Sequence, residues 1–76
     1  MTKQETLKVN HQARVEEVLN YQINIDNFRL ALEEVERRND PDLAGFKTQL
    51  QELLASSILE QKKAQIMLDV IASQLE

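Results

Sequence analysis

The chain has 76 residues, 42% of them hydrophobic but only 4% aromatic, enough for one small domain with a thin core. It has no cysteine, which excludes a disulfide framework or a thiolate metal site, so added stability has to come from packing or association. A net charge of −4 disfavours non-specific nucleic-acid binding, and no apolar run approaches the roughly 18 residues of a membrane span.

The N-terminal segment Met1-Thr2-Lys3-Gln4-Glu5 lacks the apolar core of a cleavable signal, which makes the cytoplasm the default expectation. Thr2 and Glu5 have capping-box spacing, which predicts a first helix over about residues 3–38. Within it Val18, Tyr21, Ile25, Phe28, Leu32 and Val35 form a heptad stripe that Leu7, His11 and Arg14 extend backwards. Glu33 and Glu34 stand four residues before Arg37 and Arg38, and the two arginines suit the negative end of the helix dipole.

Asn39-Asp40-Pro41-Asp42 is the single break in a chain that otherwise reads as helix, and it predicts a turn over 39–41. Asp40 suits an N-cap, Pro41 the first helical position, and Asp42 a negatively charged first turn. A second helix follows over about 41–75. Gly45 inside it costs about 1 kcal/mol relative to alanine and suggests close approach of a neighbouring backbone. The apolar stripe of this helix reads as Phe46, Leu50, Leu53, Ser57, Gln61, Ala64, Leu68, Ile71 and Leu75, with a stutter around Gln61.

These elements predict an all-α fold, an antiparallel two-helix hairpin forming one domain over 1–76. Folding about Asp40 sets Val35 against Phe46, Leu32 against Leu50, Phe28 against Leu53, Ile25 against Ser57, Tyr21 against Gln61 and Val18 against Ala64. In that register the Tyr21 hydroxyl is expected to bond Gln61, and the small Ser57 and Ala64 suggest space for a third helix.

The seam leaves a second apolar row on each helix: Val15, Leu19, Ile23 and Leu30, then Leu54, Ile58, Ile66 and Val70. Such a patch is large for a monomer in water, and burying it would contribute on the order of 10 kcal/mol before ordering costs. These eight residues are the expected partner-binding positions. The partner is a second copy, giving a homodimeric four-helix bundle, or a helix of another protein.

Residues able to carry chemistry are sparse. His11 is the only histidine and has no second ligand for a metal, so it reads as a packed or rim residue, with a pH-sensitive interface as the sharper alternative. The carboxylates of Glu16-Glu17, Glu33-Glu34-Glu36 and Asp40/Asp42 lie on helix surfaces and at the turn, where such groups are solvated or paired. Arg37-Arg38 and Lys62-Lys63 lack interleaved aromatics, and no glycine-rich loop cradles a phosphate. No enzyme, cofactor, metal or small-molecule substrate is expected. The function expected is that of a non-enzymatic protein-protein interaction module, either a structural subunit or chaperone-like. The alternative is a small acidic regulator or inhibitor that engages a basic target through its carboxylates, foremost Glu33, Glu34 and Glu36.

Leu30-Ala31-Leu32, Asn39-Asp40-Pro41, Leu43-Ala44, Phe46, Gln49-Leu50 and Asp69 with Ile71-Ala72 together resemble the helical hairpin of type III secretion needle subunits. The similarity covers about half the chain. In size and helix order the chain also resembles the small hairpin chaperones of those secretion systems. The resemblance implies an exported structural subunit or its chaperone, whose apolar C-terminus packs against other subunits.

Overall fold

The structure is a computed structural model and describes residues 2–75. Helix α1 runs Lys3–Arg38, a 3₁₀ turn spans Pro41–Leu43, and α2 runs Ala44–Gln74. The two helices pack against each other along their length, and no strand occurs among the described residues. This is the all-α hairpin expected from the sequence.

Local chemistry sets the boundaries. The Thr2 side chain accepts a hydrogen bond from the Glu5 N–H at 3.1 Å, satisfying one free donor of the first turn. At the other end Asn39 takes the left-handed conformation, φ 49° and ψ 44°, and its N–H donates to the Val35 carbonyl. Asparagine tolerates that backbone better than most non-glycine residues because its short polar side chain can hydrogen-bond to the local backbone. The Asp40 carboxylate accepts from the Asp42 N–H at 2.9 Å, and Pro41 opens a tight 3₁₀ turn before the α-helix begins at Ala44.

The core is one seam wide. On α1 it follows Leu7, His11, Arg14, Val18, Tyr21, Ile25, Phe28, Leu32 and Val35, all buried or half-buried. Facing it, the buried and half-buried stripe starts at Leu43 in the 3₁₀ turn, follows Lys47, Leu50, Leu54, Ser57, Gln61, Ala64, Leu68 and Ile71 on α2, and ends at Leu75, its C-cap. Its steps alternate strictly between four and three, so the stutter expected around Gln61 is absent. Phe46 and Leu53, expected in the seam, are 47% and 42% exposed.

The difference is confined to the first half of α2, since Leu50, Ser57, Gln61, Ala64, Leu68, Ile71 and Leu75 belong to both stripes. Lys47 replaces Phe46 at the inner position, lays its alkyl stem toward the seam and brings its ammonium to 3.5 Å from Glu36 on α1. Leu54 replaces Leu53. Ile25, Val35, Leu50 and Ala64 are the buried hydrophobic residues, and Ile25 is only 2% exposed. With Ala64 equally covered, the small residues of α2 let the helices close on the large side chains of α1. The layer expected to need a third helix is filled by two.

Two further expectations are corrected. The Gln61 amide donates not to the Tyr21 hydroxyl but to the Val18 carbonyl at 3.3 Å and to the Gln22 side-chain oxygen at 2.8 Å. Gln22 in turn donates to Asp26 at 2.9 Å, so the cross-helix bond ends in a short polar chain on α1. At Gly45 a Cβ would meet nothing within 4 Å, so no neighbouring backbone approaches there.

Candidate interaction surface

The hairpin is a rod measuring 57 × 17 × 14 Å with a radius of gyration of 17.2 Å, against about 11 Å for a compact domain of this length. Its accessible surface is 5644 Å², whereas surface scaling gives roughly 4,800 Å² for a compact monomer of this mass. The excess of about 800 Å² is close to one partner's share of a standard protein interface.

Much of that surface is aliphatic. Leu19, Ile23 and Leu30 on α1, and Ile66 and Val70 on α2, are all exposed, with Leu30 at 61% and Ile66 at 62%. Val15, Leu54 and Ile58, the remaining members of the two rows, are half-buried, and Leu54 lies in the seam itself. The eight positions therefore divide into five on the open surface and three beside or within the closed seam.

Leu59, Met67, Phe46, Leu53 and Val9 are exposed hydrophobic residues outside those rows. Leu59 had a legible signal, since it stands one heptad before Ile66 and so shares its face. Phe46, Leu53 and Met67 also follow heptad spacing, on one flank of α2, and only their exposure in the packed pair shows them to be outside the seam.

Some of the surface charge is paired within the chain. Arg14 pairs with Glu17 at 2.7 Å, Lys63 with Glu60 at 3.0 Å and Lys47 with Glu36. Glu34 accepts from both Arg37 and Arg38. The Arg38 hydrogen bond, followed by the nearby charge of Arg37, holds the Glu34 carboxyl below the usual glutamate range.

His11 occupies its seam position half-buried. Among the described residues no three His, Cys, Asp or Glu side chains come together as a metal site, and no helix is long and apolar enough to cross a membrane. Compared with known protein families, curated proteins and solved structures, the chain matches none.

Proposed function

We propose that this protein is a non-enzymatic association module, a structural subunit or chaperone-like hairpin, whose exposed aliphatic faces bind other helices. A second copy of the chain is the simplest partner. The observation that carries this reading is the exposure of Leu19, Ile23, Leu30, Leu59, Ile66 and Val70 on a rod whose own seam buries so little. Loss of these side chains from water is the available driving force, and it is non-directional enough to serve several helical partners.

The acidic-regulator alternative draws less support, because, of its three foremost carboxylates, Glu34 and Glu36 are engaged by cations of the same chain and only Glu33 stands outside the ion pairs. A carboxylate already paired offers a basic target less net charge.

Absolute mass by light scattering tests the proposal, measured over a concentration series at two salt levels with Ile23→Glu and Ile66→Glu alongside. Concentration-dependent assembly that is insensitive to salt, and lost in either variant while helicity by circular dichroism stays intact, supports it. Unchanged mass in both variants refutes it, as does a wild-type chain that stays monomeric throughout.

A further inference from the structure

The proposed association leaves open which faces meet. We infer that the contact is heterologous, with the outer stripe of α1 in one copy lying antiparallel against the outer stripe of α2 in a second copy. This inference rests on the association proposed above, and the pattern of residues on the two stripes carries it.

On α1 the stripe opposite the seam contains Leu19, Ile23 and Leu30, interrupted by Asp26. On α2 it contains Leu59, Ile66 and Val70, interrupted by Lys62 and Lys63. Each aliphatic residue is exposed, and so are the charges between them. Laid antiparallel, Leu19 meets Val70, Ile23 meets Ile66 and Leu30 meets Leu59. The same register sets Asp26 against Lys63 and Arg37 against Glu52, while Glu16 and Glu33 face Ser73 and Ser56 and Lys62 faces Asn27, so each of the three aliphatic residues on one stripe meets one on the other and no charge meets its like.

Alternative pairings lack this match. If α1 packs on α1 of a second copy with Leu19 on Leu30, Ile23 faces Asp26 and Glu16 faces Glu33. If α2 packs on α2 with Leu59 on Val70, Ile66 faces Lys63. Parallel in-register pairing sets Asp26 on Asp26 or Lys63 on Lys63. Like charges, or a charge against an aliphatic side chain, penalise each of these arrangements. Lys63 and Arg37 each already hold a carboxylate on their own helix, but an ammonium with three donors and a guanidinium with five keep capacity for another.

The register also has a geometric consequence. Within one hairpin Gln61 lies level with Val18 and Gln22, whereas the outer contact sets Val70 level with Leu19. A second copy is therefore displaced along the axis by one heptad, about 10 Å. Each copy also keeps its other stripe free, so association continues beyond two chains instead of closing as a symmetric dimer.

Complementation between variants provides the test. Ile23→Glu disables only the α1 stripe and Ile66→Glu only the α2 stripe. Each variant alone is expected to be monomeric, and an equimolar mixture to give a one-to-one heterodimer that grows no further, since one intact stripe of each kind remains. Asp26→Lys is expected to raise the concentration needed for assembly at least about tenfold, and combination with Lys62→Glu and Lys63→Glu on the same chain to restore it.

A mixture that stays monomeric while the wild type assembles overturns the heterologous contact but leaves the association module standing. A single variant that assembles like the wild type also overturns the contact. A wild-type chain that never assembles removes both.

Discussion

Ile25 is the deepest side chain in the seam, and its truncation measures how far this thin core holds the hairpin. Ile25→Ala removes three carbons from a site only 2% exposed, a transfer loss of roughly 2.4 kcal/mol at about 0.8 kcal/mol per carbon. A residual cavity adds about 1 kcal/mol, because the small Ala64 and Ser57 on α2 cannot expand into the space. The expected cost of about 3 kcal/mol is a large share of the roughly 4–11 kcal/mol typical of a chain this size. It corresponds to a fall in Tm of about 12–24 °C.

Leu19→Ala is the matched control. Its side chain is already more than half in water, and alanine favours the helix, so its cost in the isolated hairpin is below about 1 kcal/mol. Urea unfolding followed by helical circular dichroism compares the two, at the lowest usable concentration so that self-association adds least. Equal midpoints for the two variants would refute the placement of the seam.

Three other outcomes are expected. Gly45→Ala should stabilise the chain by about 0.5–1 kcal/mol and raise Tm by about 2–8 °C, because the added methyl meets nothing and the backbone is ordinary helix; a lower Tm in a thermal melt would contradict this. Gln61→Glu should cost about 1–3 kcal/mol at neutral pH, since a carboxylate cannot donate to the Val18 carbonyl or the Gln22 oxygen. Burial against two acceptors raises the introduced carboxyl's pKa when folded, so the loss should shrink as the pH falls and the group regains a proton; chemical denaturation at neutral and acid pH reads the difference. Glu34 behaves in the opposite sense. Its pKa is lowered in the folded chain, so its contribution is full above the ordinary glutamate range and is lost as the pH falls through that range and below; Glu34→Gln should flatten this part of the helicity-pH profile, and high salt should flatten it for the wild type.

The sequence by itself determined the hairpin. Asp40-Pro41 marks a break that no helix interior tolerates, Thr2 and Asn39 fit the ends of α1, and the heptad on that helix is so regular that its inner face has one solution. The surplus of aliphatic residues was equally legible, but only part of the surface they occupy: Leu19, Ile23, Leu30, Ile66 and Val70 are exposed as expected, whereas Val15, Leu54 and Ile58 are half-buried.

Which residues of the first half of α2 turn inward was decided only by tertiary structure. Phe46-Leu50-Leu53-Ser57 and Lys47-Leu50-Leu54-Ser57 are overlapping stripes that share Leu50 and Ser57, and apolar content alone favours the first. The packed pair selects the second, with Lys47 beside Glu36 and Gln61 reaching Gln22 on the same side of the seam. A helix with apolar side chains on several faces does not encode which of them turns inward. Its neighbour makes that choice, and here the choice left Phe46, Leu53, Leu59 and Met67 facing water.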